Sequence, residues 1–108
     1  MYVTTLSAMT GGWFVGDFEP TAFWLPEAEV AWKEHQAGEV WPEHYQRTAW
    51  EINLLVRGRL RIGEHVFGPR DIFVVAPNER VRPTFETDCL LGVVKAPSLP
   101  GDKVVVSP

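Results

Sequence analysis

The sequence predicts an all-β domain, and three observations carry that reading. Gly 9 and Pro 9 in 108 residues punctuate the chain every few positions, which suits short strands and turns. Between those breaks, side-chain character alternates with period two, as where Val30, Trp32 and Glu34 interleave with Ala31, Lys33 and His35. No stretch shows the 3.6-residue repeat of an amphipathic helix. At 45% hydrophobic and 22% charged, the composition is globular. The length makes one domain that folds without a disulfide or metal staple.

In chain order, residues 1–27 read as an aromatic, glycine-rich extension, Gly11-Gly12-Trp13-Phe14-Val15-Gly16 at its centre, lying as extended or looped chain over the domain's own or a neighbouring body. Residues 28–96 read as the strand-rich core. The period-2 segment from Ala28 ends at the Gly38-Glu39 turn, and Val40–Arg47 follows, with Pro42 at a strand start or edge. Trp50–Val56 carries Trp50, Ile52, Leu54 and Val56 on one face and Leu55 on the other, the pattern of a strand between the core and a partner sheet or subunit. Gly58 and Gly63-Glu64 turn the chain through Arg59–Ile62 and His65–Phe67. Asp71–Ala76, Arg80–Glu86 and Cys89–Lys95 follow, and residues 97–108 form a C-terminal strand or tail. So many short strands pack as a sandwich, a jelly roll or a small barrel.

A formal charge of -4 and a pI near 5.3 argue against nucleic acid, whose binding draws on a basic excess. No apolar run is long enough to span a membrane, and the N-terminus lacks the basic and apolar regions of a secretory signal. Cys89 has no partner for an internal disulfide and reads as a buried structural thiol, so cytoplasmic residence is the expectation. The apolar Trp50/Ile52/Leu54/Val56 face predicts a homodimer.

The chemistry concentrates in Gly38–Gly58. His44 and Gln46 leave the same face of one strand, and Glu51 follows after a short break. Imidazole, amide oxygen and carboxylate are ligand types for Fe, Mn, Ni or Zn. Trp41 and Tyr45 lie beside them and are the candidates to stack on a sugar ring. Arg57, Arg59 and Arg61 read as a charged edge, and His35 and His65 as solvated positions.

These residues carry a resemblance to the cupin superfamily. Gly38, five residues, His44-Tyr45-Gln46, four residues, Glu51, six residues and Gly58 reproduce the spacing of the first cupin motif, with Gln46 where the family usually has its second His. Asp71-Ile72-Phe73-Val74-Val75-Ala76-Pro77 resembles the opening of the second motif, whose final His position falls here on Val81 or Arg82. The resemblance implies an antiparallel double-stranded β-helix, a jelly-roll barrel with a small-molecule pocket at its mouth. It implies a metal site at His44, Gln46 and Glu51, holding a divalent metal (Fe, Mn, Ni or Zn) or none, with Arg82 placed to clamp a ligand carboxylate or phosphate. The expected function is binding of a small polar ligand, sugar or carboxylate, with two alternatives open. One is a metal-dependent isomerase or oxygenase; the other is a metal-free ligand-sensing or dimer-forming module.

Overall fold

The computed structural model describes residues 1–106. After a single 3-10 turn at Leu6–Ala8 come β1 (Trp13–Gly16), β2 (Phe23–Trp24), β3 (Glu29–His35), β4 (His44–Gln46), β5 (Trp50–Arg57) and β6 (Leu60–Ile62). They continue with β7 (His65–Phe67), β8 (Ile72–Val75), β9 (Pro83–Phe85), β10 (Cys89–Ala96) and β11 (Lys103–Val105). The last two residues of the 97–108 segment, Ser107 and Pro108, lie outside the described residues.

One layer is a six-stranded sheet in the order β2-β1-β3-β10-β5-β8. Its centre is β10, whose Cys89, Leu90, Leu91 and Val93 are all buried. The opposing layer comprises β11-β4 and β7-β6-β9, joined by isolated bridges between His44 and Val81 and between Val40 and Thr84. The expected barrel is thus corrected in one respect: the strands form two facing layers, and the sheets do not close on one another. Ala31, Leu55, Leu91 and Val93 from the large sheet meet Leu60 and Phe85 from the small one in the hydrophobic core.

The antiparallel registers align the inward side chains in rows. Leu91 lies opposite Lys33 and Leu55, Val93 opposite Ala31 and Asn53, and Lys95 opposite Glu29 and Glu51. Phe73 and Val75 of β8 extend the rows beside Asn53 and Glu51. Leu55 is fully buried on this face. Trp50, Ile52, Leu54 and Val56 point the other way and stand open to solvent in the single chain, rather than packed under a second sheet.

The N-terminal stretch is more than an extension over the domain. Its β1 pairs antiparallel with β3 and parallel with β2, so it builds the large sheet's edge. Gly12 sits at φ +85°, and a Cβ there would collide with the Trp32 carbonyl. Only glycine lets the chain approach β3 so closely and aim Trp13 inward. Gly58 ends β5 under the same demand: at φ +101° an added Cβ would strike the Asp88 carbonyl and the Cys89 sulfur. Cys89 is buried, as expected of a structural thiol.

The corner between β4 and β5 is held from the C-terminal segment. The buried Asp102 carboxylate accepts backbone N–H bonds from Thr48 (3.0 and 3.1 Å) and Ala49 (2.9 Å). Burial alone would raise its pKa, yet the bonds from Ala49 and Thr48 win and hold it below the usual value. This clasp fixes His44 and Gln46 relative to Glu51.

Candidate functional site

A cavity of about 280 Å³ opens between the two layers, its walls drawn from both. The inward parity of β4 brings His44 and Gln46 to it, that of β5 brings Glu51 and Asn53, and Trp41 stands beside them. His44 Nδ1 lies 3.0 Å from the Pro42 carbonyl. A carbonyl only accepts, so Nδ1 carries the hydrogen, and in the neutral ring the lone pair is on Nε2. The Gln46 and Asn53 side chains are buried, and among the described residues the nitrogen of each carboxamide has no hydrogen-bond partner.

Three ammonium groups complete the walls. Lys33 of β3, Lys95 of β10 and Lys103 of β11 all line the cavity, and together they are every lysine in the chain. Lys33 Nζ donates to the Gly11 carbonyl at 2.8 Å and lies 5.8 Å from the Trp13 ring centroid. Lys95 Nζ sits 5.0 Å from that same ring, and Lys103 Nζ lies 4.6 Å from the ring of Trp41. Burial, followed by repulsion from Lys95, pushes the Lys33 pKa down. The same two causes push Lys103 down, with Lys33 adding to them and Glu51 opposing.

His35 is corrected from the solvated position expected of it. It is buried, lines the cavity, stacks on Phe85 at 4.1 Å and meets Trp41 edge-on at 5.4 Å. The reason is parity, since His35 shares its strand face with the buried Ala31. His65 is exposed on β7. Arg82 is exposed and outside the cavity walls, whereas Val81 is part of them; the bridge to His44 turns Val81 inward and so sends its neighbour out. Tyr45 faces away from the cavity, with Arg80 5.7 Å from its ring centroid. Arg59 and Arg61 both pair with Glu86, at 2.8 and 3.0 Å.

Of the residues reasoning from the sequence singled out, His44, Gln46, Glu51 and Trp41 come together, and Arg82 and Tyr45 stand apart. It missed Asn53, His35 and the lysines. Their signal was parity: Lys33 alternates in step with Ala31, and Lys95 with Leu91 and Val93.

The residues fit a divalent cation poorly. Among the described residues, no group of three or more His, Cys, Asp or Glu converges as a metal site. Three ammonium groups share walls in which, among the described residues, Glu51 is the one carboxylate, and a metal cation would add to their repulsion.

No family model matches the chain, and no curated protein matches its sequence. Solved structures do. A Klebsiella pneumoniae subsp. pneumoniae protein with a double-stranded β-helix domain superimposes with TM-score 0.67 at 13% identity, over 78% of this chain and 74% of that one. An RmlC-like cupin from Ralstonia eutropha gives 0.59 at 17% identity, over 77% and 58%. The chain has the cupin fold. A further match, a variant of Streptomyces PAC13 solved with uridine, gives 0.63 at 21% identity, over 78% and 72%. Among the described residues, no helix is long and apolar enough to cross a membrane.

Proposed function

We propose that this cupin binds a small, oxygen-rich organic molecule, a sugar acid or other carboxylate, in the cavity between its layers. The observation that carries the reading is the pair of buried carboxamide nitrogens, Gln46 Nε2 and Asn53 Nδ2, left without partners in the walls of one cavity. Buried N–H donors are nearly always satisfied, and leaving one bare costs about 1–3 kcal/mol. A ligand carbonyl, hydroxyl or carboxylate oxygen supplies the missing acceptor. Trp41 offers an apolar face beside them. The uridine bound to the Streptomyces PAC13 variant is a polyhydroxylated molecule held by a protein of this fold, in keeping with such a ligand.

Titration calorimetry with glucuronate, galacturonate and gluconate tests the reading. Asn53→Leu, close to isosteric, should keep the fold and weaken the best of these ligands about tenfold or more. Equal affinity in parent and variant removes the amides from recognition and the reading with them.

Two chemical alternatives have their own tests. His44 Nε2 and the Glu51 carboxylate face the same cavity and are proton acceptors, which supports isomerisation by proton transfer next to a carbonyl. Deuterium uptake into the ligand from heavy water reports that step; a ligand that binds without exchange leaves a binding module. The metal reading at His44, Gln46 and Glu51 has the free Nε2 lone pair in its favour and the three lysines against it. Mn, Fe, Ni and Zn should therefore leave the melting temperature unmoved, and a rise abolished by His44→Ala would restore that reading.

A further inference from the structure

We propose that the ligand of this cavity is a small organic dianion, gripped at the mouth by Lys33, Lys95 and Lys103. The proposal rests on the ligand-binding reading above and names the charge its ligand carries. Its footing is a partition of the basic residues. Every lysine of the chain lines the cavity, Lys33 and Lys95 half-buried and Lys103 exposed, while Arg47, Arg57, Arg59, Arg61, Arg70, Arg80 and Arg82, all its arginines, are exposed and outside the walls.

A cationic mouth is unexpected in a chain of formal charge -4, so the protein's overall charge does not explain it. No lysine is in a salt bridge among the described residues. Their ammonium groups lie by indole rings instead: two share Trp13, Lys33 also giving one hydrogen to the Gly11 carbonyl, and one lies over Trp41. Such platforms hold a cation in position while leaving its N–H donors for an anion. Among the described residues Glu51 is the one carboxylate of the walls, Glu29 lying opposite Lys95 but outside them, so within the walls the ammonium groups exceed the carboxylate by two charges, the charge of a dianion. Lysines without salt-bridge partners around one cleft also focus the field that draws an anion in. The lowered pKa values of Lys33 and Lys103 agree: burial, then repulsion from Lys95, outweighs the attraction of Glu39 for the first and of Glu51 for the second.

Dicarboxylates and phosphate monoesters share this chemistry, and titration calorimetry separates them. Malonate and glycerol phosphate serve as dianions, acetate and gluconate as monoanions, each at low and physiological salt. The better dianion should bind at least about tenfold more tightly than either monoanion, with affinity falling as salt rises. Lys95→Met and Lys103→Met should each cost about tenfold, whereas the exterior Arg57→Met changes nothing. Lys103→Gln checks the loss in a polar background, and circular dichroism confirms that each variant is folded. Equal affinity for dianions and monoanions, no binding of either dianion at millimolar concentration, or lysine variants that bind like the parent would each overturn the proposal. A monoacid whose binding depends on Asn53 but on no lysine would overturn it while leaving the ligand-binding reading in place.

Discussion

Glu39 shows how much one side chain organises beside the cavity. Its Oε1 accepts from Trp41 Nε1 at 2.7 Å and from His35 Nδ1 at 3.0 Å, and its Oε2 from the Gln36 N–H at 2.9 Å. Burial alone would raise its pKa, but these bonds overcome it and bring the value from 4.5 down to about 2. A carboxylate held lower in the fold than in the unfolded chain stabilises the fold above pH 4.5, and that contribution drains away between about pH 5 and 2. With a third of the side chain open to water, screening leaves about 1–2 kcal/mol of the shift. Urea unfolding at pH 7, 5 and 3.5 should show the parent losing more stability than Glu39→Gln over that span; parallel losses would count against it. Asp102 is the buried counterpart. Asp102→Ala leaves the Thr48 and Ala49 N–H groups bare and should cost about 2–3 kcal/mol in the same assay, with ligand affinity falling as the β4–β5 corner loosens. At this scale the sequence was partly readable. His44, Gln46 and Glu51 stood out by spacing, whereas a strand lysine reads by default as solvent-exposed, because its ammonium is so seldom drawn inward. Only the company each keeps along its strand reveals its direction.

The elements most legible in advance were those with local punctuation. Both β5 and β10 are long, apolar and bounded by glycine or turn residues, and the turn at Gly63 announces the β6–β7 hairpin. The N-terminal strand was not legible, for a physical reason. β1 has four residues, its register with β3 shifts between Trp13 and Val15, and its partners lie far along the chain. Nothing within a short window records such pairing; it depends on a glycine yielding to a carbonyl two strands later in the sequence. Gly12→Val tests that dependence. The clash with the Trp32 carbonyl should detach the edge strand and lower stability by about 2 kcal/mol or more. Since Trp13 would leave with it, fluorescence of the remaining indoles and dianion affinity should change together. A variant with the parent's stability and affinity would show that β1 is held by its other contacts.

For the whole molecule, the large sheet has an inner face that lines the cavity and an apolar outer one. Across β3, β10, β5 and β8, Trp32, Gly92, Leu54 and Ile72 form one row and Val30, Val94, Ile52 and Val74 the next, with no charged residue in either. Ile72 is 66% exposed and Val74 51%. An uncharged apolar face of this kind can pair with its own copy, and a second copy of the chain is the occupant we expect. Sedimentation at micromolar concentration should give a dimer, and Leu54→Glu with Ile72→Lys should give a monomer that keeps its ligand; a monomeric parent would end this expectation. The partition of lysine and arginine has one more consequence, at the bench. Acylating esters and aldehyde cross-linkers react with amines and spare guanidinium groups, so apart from the N-terminus their targets on this protein all stand around one opening. Coupling it to a sensor chip through its amines would seal that opening, and an attachment chemistry that spares amines avoids this.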